Sequence, residues 1–459
     1  MSFFLTTVLA ALDDGGDRPL FHQDGVTTYH QARDRLRRLH GGLGDVEAGV
    51  VAVDLRNRPE TVLVQLAALL RGATVLLVAA SAPGPDRLAA AAAANVTTVV
   101  TDRPHDWPAG DVRTLDDLDG EPEPLSLPGS VRLLFPTGGT TGAPKLIRHS
   151  GIYDGMAAIF APSPDGPGRT LLVAPMTHMT GNATVLGALL RRDTVVVHDG
   201  FEAGAVLRAI QDHRIDTLSL TPPRLAAVLD HPALAETDVT SVRSLSLGAA
   251  PLPPHRLARA LDVFGPVVGQ GYGLTEAPMI ASISAAELIG HPERLGSVGR
   301  IVPGMEARIA DDGEVEVRGL SMMDGYLGGP DVGQGWLRTG DLGRFDDEGY
   351  LSLLDRADDV VVVGEHGTKV PSTVVEHAIA AHPAVKSAAV FGVPGLDGQL
   401  LHAVVVAAGA VTADDLKAHA RETFGQEHYV PAGVDFIDAL PLTGVGKVDK
   451  RALKAAFSS

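Results

Sequence analysis

The densest chemistry in the chain lies at Pro136-Thr137-Gly138-Gly139-Thr140-Thr141-Gly142-Ala143-Pro144-Lys145. Glycines let successive backbone N–H groups turn toward an anion. Threonine hydroxyls add donors, and a lysine adds a mobile positive charge. Leu133-Leu134-Phe135 just before it reads as a buried strand that delivers the loop. This inventory suits a triphosphate tail. It is not a Walker A loop, because Pro144 precedes the lysine and Leu146 stands where that motif needs Ser or Thr for Mg2+. Lysine is also scarce. It occurs at positions 145, 369, 386, 417, 447, 450 and 454 only, seven of the 38 basic residues, so Lys145 is the single lysine of the first 368.

Thr137–Lys145 resembles the phosphate-loop signature T-S/G-G-T-T-G-x-P-K of the adenylate-forming superfamily, which includes acyl- and aryl-CoA ligases, peptide-synthetase adenylation domains and luciferases. Further segments carry the resemblance in the family's order. Gly271-Tyr272-Gly273-Leu274-Thr275-Glu276 is similar to Y-G-x-T-E. It implies that Tyr272 packs on adenine, Thr275 donates to the α-phosphate and Glu276 helps hold Mg2+. Gly248-Ala249-Ala250-Pro251 is similar to G-G-A-P, which borders adenine and the acyl pocket. Trp336-Leu337-Arg338-Thr339-Gly340-Asp341 resembles W-x-R-T-G-D, whose Asp binds the ribose hydroxyls. Asp355-Arg356-Ala357-Asp358-Asp359 is similar to the G-R-x-D-D hinge, with Arg356 near the ribose and Asp358 as pivot, although Asp355 replaces the motif's Gly. Pro441-Leu442-Thr443-Gly444-Val445-Gly446-Lys447 resembles the C-terminal L-P-x-T-x-x-G-K, whose Lys enters the active site during adenylation.

The resemblance implies an enzyme that joins a carboxylic acid to the α-phosphorus of ATP, releases pyrophosphate, and then passes the acyl group to an acceptor. Thr137, Thr140, Thr141 and Lys145, with Glu276 and Mg2+, would hold the phosphates, and Gly138, Gly139 and Gly142 would shape the loop. Lys447 would bridge the carboxylate and the α-phosphate. A turn of the C-terminal part about Asp358 would then withdraw it. ATP, Mg2+ and CoA are the implied cofactors.

Pro175-Met176-Thr177-His178 resembles the P-x-x-H segment of CoA ligases. His178 fits either an acyl channel or a satisfied buried histidine. By alignment Met179, Asn182, Thr221, Gly248, Gly269, Gly271 and Met279 would line the acid pocket. These are mostly small and uncharged, which suits an apolar acyl or aryl acid. The F-D-x-S segment of amino-acid-activating members is absent, which argues against an α-amino acid. Leu146-Ile147 resembles aryl-acid-activating members. The loop Gly364-Glu365-His366-Gly367-Thr368-Lys369 is about two residues longer than usual in the family, where it shapes the pantetheine tunnel. The acceptor is therefore open: CoA is expected, with a carrier-protein phosphopantetheine or an amine as alternatives. A non-catalytic ATP-binding relative is disfavoured by the presence of Lys145, Glu276, Asp341 and Lys447 together.

Elements must bring these residues to one place. Runs at 50–54, 74–79, 97–101, 132–135, 171–174, 194–198, 217–220 and 244–247 read as strands, with helical patterns at 28–39, 60–70, 85–94, 203–213 and 223–231. That alternation predicts an α/β fold: a large N-terminal domain with two mainly parallel sheets. Glycine and aspartate turns between 304 and 354 add a barrel-like region. A small mobile α+β domain follows, with helices near 374–381 and 413–423. The expected boundaries are 1–357 and 358–459, with the hinge at 356–359. The Pro- and acid-rich stretch 121–128 reads as a linker.

Composition excludes other classes. The chain has 459 residues, 45% hydrophobic, which is enough for a large core. A net charge of −18 disfavours nucleic acid and anionic lipid. There is no cysteine, hence no disulfide, thiolate metal site or cysteine nucleophile. H-E-x-x-H and G-x-S-x-G are absent too. The apolar stretch 61–80 is broken by Gln65, Arg71 and Gly72, so no membrane span is expected. The chain reads as cytoplasmic, a monomer or homodimer, with a small carboxylic acid and CoA or a carrier protein as partners.

Overall fold

The computed structural model describes residues 1–457 except 47, 137–144, 334, 365–366, 397 and 445. The phosphate-loop residues Thr137, Gly138, Gly139, Thr140, Thr141 and Gly142 therefore lie outside the described residues. Two mainly parallel sheets form the bulk. The first is nine-stranded, in the order Arg300–Ile301, Ala281–Ile283, Val268–Tyr272, Ser244–Gly248, Thr217–Leu220, Arg169–Leu172, Thr194–Val197, Pro19–His22, Val26–Thr28. From Val268–Tyr272 to Pro19–His22 its strands run parallel. The second is seven-stranded: Gly325–Tyr326, Leu146–His149, Leu133–Pro136, Thr74–Leu77, Val50–Asp54, Thr98–Thr101, Asp111–Arg113. Its first two pairings are antiparallel and the rest parallel.

Parallel strands buried on both faces need near-continuous apolar runs, and Val51, Ala52 and Val53 have no exposed surface. The helix Pro59–Leu70 buries every residue from Thr61 to Leu70. An all-round buried helix belongs inside a protein, here in a core shared by strands of both sheets. The third sheet is antiparallel, Met305–Ile309, Glu314–Gly319, Leu337–Phe345, Leu351–Arg356. All strands of the fourth sheet follow residue 360. Val385–Gly395 and Gly398–Ala407 form its central hairpin. Helices Ser372–Ala380 and Ala413–Phe424 cover one face through Ile379 and Leu416, and Lys450–Phe457 covers the other through Leu453.

The stretch 121–128 has no regular structure but is more than a linker. Leu125 and Leu127 pack on the main core, Glu123 pairs with Arg71 at 2.5 Å, and Ser126 Oγ donates to Leu70 O at 3.0 Å. Its polar composition hid two apolar anchors. Among the described residues no helix is long and apolar enough to cross a membrane.

In open parallel sheets, ligands bind beyond the carboxyl ends of the strands. His178, Thr221, Gly248 and Tyr272 all stand at or just past such ends in the first sheet, and Ser81 does so in the second. The fold thus gathers these segments along one crevice.

Candidate active site

Tyr272 ends its strand and is 7% exposed. Its hydroxyl donates to Asp341 Oδ2 at 2.6 Å, and Arg356 Nη1 donates to Asp341 Oδ1 at 2.8 Å. Burial first, and the Asp341 carboxylate second, push the Tyr272 phenol well above its usual range, so it remains a donor. Asp341 and Arg356 are register partners in the third sheet, which explains how residues 15 apart meet. Each carboxylate oxygen keeps one lone pair for a further donor. Thr339 Oγ1 donates to Val315 O at 2.8 Å and accepts from Asp341 N at 3.1 Å, fixing that carboxylate's backbone. The guanidinium groups of Arg308 and Arg318, from two strands of the third sheet, lie 4.3 and 4.6 Å from the centre of the Trp336 ring, so its ring contacts are with that sheet.

Glu276 follows the same strand. Tyr326 Oη donates to its Oε1 at 3.0 Å, while the Lys145 ammonium lies 5.2 Å from the centre of the Tyr326 ring. One tyrosine thus touches both the lysine that leaves the glycine-rich loop and the acid opposite it. Burial, then Glu276, pushes Tyr326 up to about 12. The Thr275–Glu276 turn is held from beneath. His149 Nε2–H donates to Thr275 O at 2.6 Å, and burial lowers the pKa of that histidine. No cluster of three or more His, Cys, Asp or Glu able to hold a metal occurs among the described residues. A lone carboxylate fits Mg2+, which takes few protein ligands and completes its octahedron with phosphate and water.

Lys447 reaches the crevice from the C-terminal part. Gly446 N donates to Thr443 O and Thr443 N to Lys447 O, both at 2.8 Å, closing a tight turn. Gly446 sits at φ +81, and a Cβ there would lie 2.8 Å from Arg224 Nε. Gly444 packs on Ser81, and Thr221 Oγ1 donates to Gly446 O at 3.1 Å. The turn is therefore seated between the carboxyl ends of both large sheets. Lys447 keeps an exposed side chain, but the surrounding protein lowers its pKa. Desolvation is the largest cause and Arg356 the next, while Asp341 and Glu276 oppose them.

His178 is half-buried, and burial first, then Lys447 and Arg224, lower its pKa to about 4. It is neutral near pH 7. Its loop is anchored by Asn57, whose Nδ2 donates to Ala174 O at 2.9 Å and whose Oδ1 accepts from Met176 N at 2.8 Å. Gly248 and Gly271 are direct register partners, and a Cβ on Gly248 would lie 2.7 Å from Gly271 O. Met279 is exposed, with its sulfur 3.9 Å from where a Gly271 Cβ would stand. These three share one patch of the crevice floor. Ala249 holds φ +69 beside them, a strained angle for a residue with a Cβ.

Asn182 needs a correction. It is 1% exposed, and its amide donates to Gln65 Oε1 at 2.6 Å and Met176 O at 3.1 Å. Its oxygen accepts from Tyr153 Oη at 3.2 Å. Both amide hydrogens are used inside the core, so Asn182 does not line the pocket. Met179 likewise belongs to the main core. Asp358 is exposed in the single turn Ala357–Asp359 that joins the third sheet to the fourth. Sequence reasoning missed His149, Tyr326 and Arg224. The position of His149 in the strand just after Lys145 was the one available signal.

The model for "AMP-binding enzyme" matches residues 10–327, and that for "AMP-binding enzyme C-terminal domain" matches 374–447. A medium/long-chain-fatty-acid–CoA ligase of Mycobacterium tuberculosis is 35% identical over 373 residues, which is 73% of this chain and 64% of that enzyme's length. A variant of an amide bond synthetase from Marinactinospora thermotolerans superposes with a TM-score of 0.89 at 30% identity, covering 99% of this chain and 100% of that one. The o-succinylbenzoate CoA synthetase of Bacillus subtilis, solved with its acyl-adenylate, gives 0.85 at 26% identity, covering 98% and 97%. The family match over most of the chain, added to a crevice with this order of motifs, makes the chain a member of the AMP-binding enzyme family.

Proposed function

We propose that the protein activates a small carboxylic acid with ATP, forming an acyl-adenylate and pyrophosphate, and then transfers the acyl group to the thiol of CoA. The observation that carries this reading is the insertion of Lys447 into a crevice that already holds Asp341, Arg356, Glu276 and His178. The substrate carboxylate attacks the α-phosphorus, the bond to the bridging oxygen breaks, and pyrophosphate departs with the electron pair. Such a transfer requires alignment and charge neutralisation more than covalent help. Lys447 lies against the α-phosphate and the incoming carboxylate. Asp341 accepts from the ribose hydroxyls while Arg356 and Tyr272 hold it still. Glu276 would hold Mg2+, which supplies positive charge to the leaving phosphates. Neutral His178 borders the acyl group without adding charge.

The residues before 358 form the part that binds ATP and acid, and those from 358 form a lid that turns about Asp358. Relatives named as CoA ligases support a thiol acceptor. The likeness to an amide bond synthetase favours a second reading, an amine acceptor on the same adenylate. The test is acid-dependent ATP–pyrophosphate exchange over a panel of acids, followed by competition between CoA, carrier proteins and amines. Lys447→Ala should lower exchange by at least about 100-fold yet spare transfer from a supplied acyl-adenylate. Intact exchange in that variant would refute the role of Lys447.

A further inference from the structure

One charge in the crevice has no use in the chemistry above. Arg224 lies at the start of helix Pro222–Leu229 and is 8% exposed. Its guanidinium makes one long hydrogen bond, from Nη1 to Val173 O at 3.4 Å, and rests 5.3 Å from the centre of the Phe201 ring. Three arginines are buried among the described residues: Arg87, Arg224 and Arg256. Arg87 pairs with Asp106 at 2.7 Å and Arg256 with Asp230 at 2.5 Å. Arg224 alone of the three has no carboxylate. Burial desolvates the guanidinium in part, and charges this deep are normally paired. Its unbonded donors open to solvent in the crevice, where a ligand can supply the missing partner.

The position of Arg224 indicates which ligand brings that partner. Val173, Phe201 and Thr221 follow the strands Arg169–Leu172, Thr194–Val197 and Thr217–Leu220. In the first sheet these lie on one side of Ser244–Gly248, while Tyr272 lies on the other. Asp341, bonded to Tyr272, marks that other side as the nucleotide's. Arg224 therefore stands on the acid side, near His178 and beneath the Gly446 turn. His178 is neutral and provides no counter-charge.

We propose that Arg224 pairs with a second carboxylate on the substrate, so that the protein activates one end of a dicarboxylic acid. This rests on the acid-activating reading given above. Phe201 lies beside the guanidinium, Gly446 lies against Nε and Nη1 bonds Val173 O, so Nη2 and the second Nη1 hydrogen are the donors left to pair with a planar carboxylate. The reacting carboxylate would lie at Lys447 and the distal one at Arg224.

The experiment is ATP–pyrophosphate exchange on the full chain with acids in matched pairs. Each pair shares length and shape, one member ending in a carboxylate and the other in a methyl group. The diacid should exceed its partner in kcat/KM by about 100-fold or more, because a site built for a polar group rejects the analogue that lacks it. Arg224→Met should bring that ratio to within about fivefold of one, and Arg224→Lys should retain part of it. Thermal melting checks that each variant folds, and the ratio in the unmodified protein needs no variant. Equal use of both acids by the unmodified protein would overturn the proposal. So would a parallel loss for both acids in Arg224→Met, which would assign Arg224 to the reacting carboxylate or to the Gly446 turn. No exchange with any acid would instead overturn the acid-activating reading itself.

Discussion

Tyr326 carries two contacts that a point substitution can separate. Its hydroxyl bonds Glu276 and its ring lies beside the Lys145 ammonium. Tyr326→Phe keeps the ring and removes the hydroxyl, so Glu276 loses the partner that orients it. The expected result is a rise of about tenfold in the Mg2+ concentration needed for half-maximal exchange, the equivalent of one modest hydrogen bond. A Mg2+ titration of exchange checks it, and an unshifted midpoint would refute the link. At this scale the sequence was informative about placement where a residue belongs to a short local motif. Tyr272, Asp341 and Lys447 belong to short motifs, and they meet in the crevice. It was uninformative where the partner is remote. Asn182 lies 117 positions from Gln65, and nothing local shows that this face of its helix turns to the core. Arg224 looked like an ordinary arginine in a chain rich in them, because only burial without a counter-charge distinguishes it.

Asp355 shows how one side chain ties two elements. It is the penultimate residue of the last strand of the third sheet, Leu351–Arg356, just before the expected hinge. Its Oδ2 accepts from Ser372 N, and its Oδ1 accepts from Thr373 Oγ1 at 2.9 Å. It thus caps helix Ser372–Ala380, whose own N-cap position, Pro371, provides no side-chain bond. The capping carboxylate comes from one side of the turn Ala357–Asp359 and the helix from the other. The departure from Gly at this position therefore has a physical account: the carboxylate ties the third sheet to helix Ser372–Ala380 across that turn. Asp355→Gly should cost about 1 kcal/mol in urea unfolding and speed proteolysis at 356–359, with exchange falling alongside. Unchanged cleavage would argue that the cap does not hold that turn. Periodicity predicted this helix, near 374–381, since it follows from a local pattern. The cap across that turn was not legible, because an aspartate in a charged loop carries no mark of which N–H groups it will meet.

For the molecule as a whole, buried and half-buried histidines set an acid limit. His40, His178 and His377 are all held down to about 4, in each case chiefly by burial. Their unfolded values lie near 6.5. Between about pH 6.5 and 4 the unfolded chain binds protons at these sites that the folded chain refuses. Stability is thus retained above that window and falls as pH drops through it. Urea midpoints measured across the window should show this slope, and His377→Gln should flatten it. An identical slope in that variant would refute the assignment. The architecture itself was largely legible, because parallel strands and flanking helices leave strong local patterns. What no pattern contained was the seating of the Thr443–Lys447 turn between Ser81 and Thr221, a contact across 225 residues in the latter case. That distance along the chain also sets an order of events during synthesis. Every strand of the first three sheets precedes residue 357, and every strand of the fourth follows it. At about 5–20 residues per second, the ribosome finishes the crevice walls several seconds before it releases Lys447. A nascent chain can therefore complete its nucleotide side while the residue that would start the chemistry does not yet exist.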